Sequence, residues 1–196
     1  MSHRFTTTLP PESLASDSPR VREVLETAKK QVGFIPNMYT RMVNVPGLLE
    51  TYLLGYDRFR KESGLTSVEQ EVVFLTVSYQ NRCHYCVAAH SFLADKKSGV
   101  PPEVTDAIRD GVAIPDEKLQ ALSEFTRAIM RAQGWLDRSD VEPFLAAGYS
   151  ERHILAIILA VAVKTLSNWS NHLFDTPVDE MFAGRRWSDA GVPEAV

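Results

Sequence analysis

Twenty residues, Glu71 to His90 (EVVFLTVSYQNRCHYCVAAH), constrain this chain more than any other stretch. An apolar segment bearing one carboxylate, Glu71, runs into a short polar turn, Asn81-Arg82, and then into both of the chain's cysteines. Cys83 and Cys86 are three residues apart, and His90 follows four after the second. At about 100° per residue, positions 83, 86 and 90 of a helix fall within roughly 60° of arc, so two thiols and an imidazole share one helical face. The Asn81-Arg82 turn folds that helix back against the segment carrying Glu71. The stretch predicts a pair of helices with chemistry where they meet.

The flanking sequence is built from the same kind of element. Val21, Val24, Leu25 and Ala28 give an amphipathic helix from Pro19 to near Gly33. A short piece carries Met38 and Met42. Pro46 suits the first position of a helix whose apolar face is Leu48, Leu49, Tyr52, Leu53 and Tyr56, ending at Gly64. Thr66-Ser67-Val68-Glu69 is a capping box for the helix of Glu71, Val72, Leu75 and Tyr79. The thiol helix is expected from about Cys83 to Lys97. Further helices follow Pro101-Pro102, Pro115-Asp116 (through Leu119, Leu122, Phe125, Ile129 and Met130) and Asp137. The last starts at Ser150-x-x-His153 and runs from Ile154 to about His172, with Asn171 and His172 as its polar end. No segment alternates with period two between hairpin turns. The expected fold is all-α: an aperiodic arm at 1–17, a single helical domain at 18–183 and a tail at 184–196. A shift of 84 residues lays the apolar helix of 154–163 on that of 70–79, with Ser167 under Cys83 and Ser170 under Cys86. Such an offset describes two degenerate helical repeats, one of them chemically active.

Composition narrows the partners. A net charge of −4 and the lack of a basic run give no general attraction to nucleic acid or anionic lipid. The opening residues lack a charged and apolar leader pattern. The longest apolar run, Ile154 to Val163, has ten residues, which suits a buried helix and is too short to span a bilayer. Two cysteines at CxxC spacing without a leader read as redox or metal chemistry in a reducing compartment, so the cytosol is the expected location. No cofactor or metal is expected.

A thiol attacks a peroxide as thiolate, and the leaving oxygen needs a proton. A helix N-terminus favours the negative sulfur, and Cys83 and Cys86 lie at such an end. His90 can take the thiol proton, with Glu71 orienting the imidazole. Attack by Cys86 yields a sulfenic acid that Cys83 can condense with to form a disulfide, and an external dithiol must then reduce it.

The pattern Glu71, eleven residues, Cys83, two residues, Cys86, three residues, His90 resembles that of the AhpD-like alkylhydroperoxidase family, grouped with the carboxymuconolactone decarboxylases. The peroxidase-related branch is most similar, over about residues 20 to 182. The resemblance implies an AhpD-like helical bundle, hydroperoxide reduction, and assembly into dimers, trimers or hexamers. It implies Cys86 as attacking thiol, Cys83 as resolving thiol, and Glu71 and His90 as the proton relay. It also implies a lipoyl-bearing protein or other dithiol as reductant and a peroxiredoxin as partner. One position departs from the pattern. Where peroxidase members carry a second relay histidine, just before the second cysteine, this chain has Tyr85, with His84 rotated by 100°.

Three other uses of these residues stay open on sequence: a zinc site from Cys83, Cys86, His90 and Glu71; a redox sensor or binding module without turnover; and a lactone decarboxylase or isomerase working through Glu71 and His90.

Overall fold

A computed structural model describes residues 4–189, and every element among them is helical. Residues 1–3 of the arm and 190–196 of the tail lie outside the described residues. Among the described residues the nine α-helices are α1 (Pro19–Val32), α2 (Asn37–Met42), α3 (Pro46–Glu62), α4 (Ser67–Gln80), α5 (His84–Leu93), α6 (Pro102–Asp110), α7 (Glu117–Arg131), α8 (Arg138–Ala146) and α9 (Glu151–Phe174). A π-helical turn, Ala94–Ser98, extends α5, and a 3-10 turn at Glu180–Arg185 packs on α5 from the other side.

α4 is the axle. The Thr66 hydroxyl accepts from the Glu69 amide while the Glu69 carboxylate accepts from the Thr66 amide, closing the capping box. From Glu69 to Tyr79 every residue is buried, as expected of a helix surrounded by α5, α6, α7 and α9. The turn that follows sets the site. Arg82 adopts a left-handed conformation (φ 51°), and the Cys83 amide donates back to the Ser78 carbonyl at 2.9 Å. This is a Schellman ending with arginine where glycine is usual. In the same residue the Cys83 carbonyl accepts from the Val87 amide at 2.9 Å and begins α5. One residue thus closes one helix and opens the next.

Two expectations change on contact with the structure. The ten-residue apolar run of 154–163 is part of a helix of 24 residues, which by length and composition alone could cross a membrane. Its inner face, apolar at Ile157, Ala160 and Val163 and polar from Lys164 onward, packs on α3, α4, α2 and α5. The 84-residue offset also fails to reproduce the hairpin, because α9 runs unbroken through Ser167 where the first copy turns at Asn81-Arg82. Continuous hydrogen bonding suffices there, since residues 164–168 include neither Gly nor Pro. The arm is tied down: the Thr7 amide donates to the Leu173 carbonyl and the Glu12 amide to the Thr40 carbonyl. At the other end the 3-10 turn crosses the expected boundary at 183, and Trp187 Nε1 donates to the Arg109 carbonyl.

Candidate active site

Cys83 caps α5 and Cys86 lies three residues in, both buried and both reduced. Beyond them on the same helix is His90, whose Nδ1 meets Glu71 Oε2 at 2.8 Å. The other Glu71 oxygen takes an Arg60 guanidinium N–H, an ion pair in which the carboxylate is 1% exposed. Arg60 is itself held by Tyr56 Oη and lies over the Phe74 ring. All four sequence-derived residues therefore meet at the α4–α5 crossing, in the order expected.

Across from them stands α9, which the sequence reading left without a role. Its inward residues at 164, 167, 168 and 171 recur at helical spacing and are all polar. Asn171 Nδ2 donates to Cys86 Sγ at 3.3 Å and reaches Cys83 Sγ at 3.9 Å. Ser167 Oγ lies 4.0 Å from Cys86 Sγ. Asn171 is thus a site residue, and the reading of it as the polar end of a core helix is corrected. Lys164 is 1% exposed, with Nζ 5.7 Å from the Phe74 ring. A lysine directly after an apolar run, in the middle of the helix, was the one available signal of this wall, since that side chain is rarely buried without a partner.

The two thiols differ in environment. Burial pushes Cys83 up, and its bond to Cys86 adds to this, so it stays a thiol. Burial opposes ionisation of Cys86 too, but the Cys83 hydrogen bond and the charge of Lys164 outweigh it and hold Cys86 well below the ordinary thiol value. Burial also raises the Glu71 carboxyl, yet His90 and Arg60 more than offset it and bring it to about 2. His90 is pushed down, by burial first and then by Lys164, so it is a neutral imidazole. With Nδ1–H given to the Glu71 carboxylate, Nε2 is the nitrogen left to accept a proton.

Cys86, His90 and Lys164 line a cavity of about 410 Å³ whose walls include Tyr39, Tyr52, Tyr56, Phe92 and Phe182. Cys83 is behind Cys86, 3.9 Å from the Asn168 carbonyl, outside that lining. Tyr85, standing where a relay histidine was expected, donates its hydroxyl to Asp179, and Asp179 also accepts from the Asn37 amide at 3.1 Å. Its hydroxyl clamps the C-terminal segment and is turned from relay work. His84 is half-exposed, with Nε2 3.1 Å from Asp189. Among the described residues no three His, Cys, Asp or Glu side chains are grouped as a metal site, so the zinc reading has no geometry behind it.

A helical fold of this plan, with a CxxC at its central crossing, is AhpD-like. Residues 46–128, which hold α3 to most of α7, are similar to the carboxymuconolactone decarboxylase family. Among solved structures, the alkylhydroperoxidase AhpD core of an uncharacterized peroxidase-related protein from Ralstonia eutropha JMP134 is similar at TM-score 0.74 and 23% identity, covering 89% of this chain and 93% of that one. An uncharacterized peroxidase-related protein from Silicibacter sp. TM1040 gives 0.73 and 22%, over 93% and 95%. The debrominase Bmp8 in complex with 2,3,4-tribromopyrrole gives 0.73 and 18%, over 93% and 97%. No curated protein matches the sequence.

Proposed function

We propose that this chain is a thiol-dependent oxidoreductase that reduces hydroperoxides through a Cys86–Cys83 dithiol/disulfide cycle. One observation carries the reading: of two adjacent thiols, only Cys86 lines the cavity, while Cys83 waits behind it one helical turn away. The Cys86 thiolate attacks the distal peroxide oxygen and the O–O bond breaks. The leaving alkoxide takes a proton to become an alcohol, and Cys86 is left as sulfenic acid. Cys83 then attacks that sulfur, water leaves, and a disulfide forms. Two thiols and one hydroperoxide thus yield one disulfide, one alcohol and one water. An external dithiol, of lipoyl type or carried by a protein partner such as a peroxiredoxin, returns the disulfide to two thiols. The Glu71–His90 pair relays protons at the site, with Glu71 fixing the ring so that Nε2 accepts.

The aromatic walls favour a second substrate class for the same sulfur. Tyr39, Tyr52 and Tyr56 beside Cys86 suit a flat ring, and one structural neighbour is a debrominase. In that reading Cys86 takes the halogen from a ring carbon as the carbon gains a proton, and Cys83 displaces halide while forming the disulfide.

Wild type, Cys83→Ser and Cys86→Ser should each receive cumene hydroperoxide or hydrogen peroxide, with thiols counted by mass and dihydrolipoamide or dithiothreitol as reductant. We expect wild type to lose both thiols and turn over, Cys83→Ser to accumulate sulfenic acid on Cys86, and Cys86→Ser to be inert. Thiols that stay reduced in all three proteins rule out the peroxidase. Bromide release from a brominated phenol under the same conditions, abolished in Cys86→Ser, would move the assignment to dehalogenation.

A further inference from the structure

Lys164 is a buried cation in search of an anion. Its side chain sits inside α9 among apolar and aromatic groups, 1% exposed, beside a Phe74 ring whose centroid is 5.0 Å from that of His90. Among the described residues no carboxylate pairs with it. Glu71, the one fully buried carboxylate at the site among the described residues, already binds Arg60 and His90, and Asp179 is taken by Tyr85. Taking an ammonium out of water without a counter-charge costs several kcal/mol, so a lysine held there implies an anion at hand. The tyrosines around the cavity do not supply one: burial raises Tyr39, Tyr52 and Tyr56, and Tyr85 is a donor to Asp179. His90 is a base, and His172, an imidazole on which the charge of Cys86 acts, is also lowered, first by burial. Cys83 is held as thiol. That leaves the sulfur of Cys86, which lines the same cavity as Lys164 and whose ionised form the charge of Lys164 favours. Counting Arg60 and Lys164 as positive and Glu71 as negative, the buried centre is neutral only with a Cys86 thiolate.

We propose that Lys164 is a catalytic residue of this site: its ammonium group holds Cys86 as thiolate, then gives a proton to the alkoxide released when the peroxide bond breaks. The second half rests on the hydroperoxidase reading; the first does not. The proton balance closes. Neutral His90, donating through Nδ1, has no proton on Nε2 to give, whereas Lys164 has three. After donation Lys164 is an amine beside a sulfenic acid, and condensation with the Cys83 thiol releases water without touching that amine. Reduction of the disulfide regenerates a Cys86 thiol, whose proton returns to Lys164 and restores the ion pair.

Two rates separate the halves in wild type, Lys164→Met and Lys164→Arg. Alkylation by iodoacetamide, mapped to Cys86 by mass between about pH 4 and 9, reads the thiolate without any peroxide. Single-turnover oxidation of Cys86 by cumene hydroperoxide reads the proton donor. We expect wild-type Cys86 to alkylate well below an ordinary midpoint near about 8.5. In Lys164→Met the midpoint should rise by about two pH units, slowing alkylation at about pH 6 by about 100-fold. Lys164→Arg keeps the charge but cannot release a proton, so alkylation should stay near wild type while peroxide oxidation falls at least tenfold. A wild-type midpoint near 8.5, or a Lys164→Met profile equal to wild type, overturns the assignment of the thiolate whatever the peroxide result. Equal peroxide rates in wild type and Lys164→Arg overturn the proton-donor half. If no protein reacts with peroxide, the hydroperoxidase reading and the donor half fall together, and the alkylation profiles still decide the ion pair.

Discussion

α7 and α9 are both long helices packed on α4, and they are built on opposite plans. α7 turns Leu119, Leu122, Phe125 and Ile129 inward and leaves charge outside, the ordinary amphipathic arrangement. The carboxyl half of α9 buries Lys164, Ser167, Asn168 and Asn171, while Leu155, Ile158, Trp169 and Leu173 face outward along the helix. The first helix contributes apolar burial, the main favourable term in folding. The second places groups that are costly to bury opposite two thiols, which makes sense only if those groups act on them. Stability and chemistry are assigned to different sides of the α4 axle.

The separation predicts its largest effect on α7. Phe125 is buried, stacks on Phe144 at 4.2 Å, and Phe144 stacks in turn on Tyr149 at 4.6 Å. Phe125→Ala should destabilise the fold by about 3–5 kcal/mol in denaturant titrations, leaving the pH profile of Cys86 alkylation in place. On α9 the sign reverses. Lys164→Met removes a buried charge and should be neutral or stabilising even as it removes reactivity. A profile that moves as much in Phe125→Ala as in Lys164→Met would break the comparison.

Glu71 belongs to the chemical side although it sits on α4, and its effect should be nearly as large. Its carboxyl is held at about 2 against 4.5 when free. A depressed acid stabilises the fold fully above about pH 4.5, and the contribution fades as pH falls toward 2. The difference corresponds to about 3 kcal/mol, to order of magnitude. Wild type should therefore lose roughly that much stability between about pH 4.5 and 2, and Glu71→Gln should lack this segment of the curve. Parallel curves would mean that Arg60 and His90 do not hold the carboxylate.

The same contrast explains what the sequence yields to inspection. α1 to α9 are legible because proline, capping boxes and apolar periodicity agree at each helix start: Pro19, Pro46, Thr66-x-x-Glu69 and Asp116 all lie where helices begin. Glu71, Cys83, Cys86 and His90 are legible because they are close in sequence, so helical geometry alone brings them together. The α9 wall is not. Asn171 is 85 residues from Cys86, and a polar residue near a helix end reads by default as solvated. Arg60 escapes for a like reason, since its partner lies eleven residues away across a helix junction. Tyr85 was visible as a departure, but its acceptor, Asp179, is 94 residues on. Local spacing reveals one side of the site, and only tertiary contact reveals the other.

The smallest effect on the fold is expected from the outward face of α9, and it is informative for that reason. Leu155 and Trp169 are 67% and 60% exposed, and they align with Ile158 and Leu173 within about 80° of helical arc. An apolar stripe on a helix whose carboxyl half is polar inside is the surface expected to meet a second copy of this chain if it forms a homo-oligomer. Leu155→Gln combined with Trp169→Gln alters two mostly exposed side chains, so on a monomer such surface changes stay within about 0.5 kcal/mol. We expect wild type to sediment at a multiple of 21.9 kDa with a melting temperature that rises with concentration, and the double variant to move toward 21.9 kDa and lose that dependence. If wild type is already monomeric and the variant melts with it, the stripe is no interface between copies. The inversion of the carboxyl half of α9 would then serve the inner face alone, with Trp169 exposed because Lys164, Ser167, Asn168 and Asn171 hold the inward positions there.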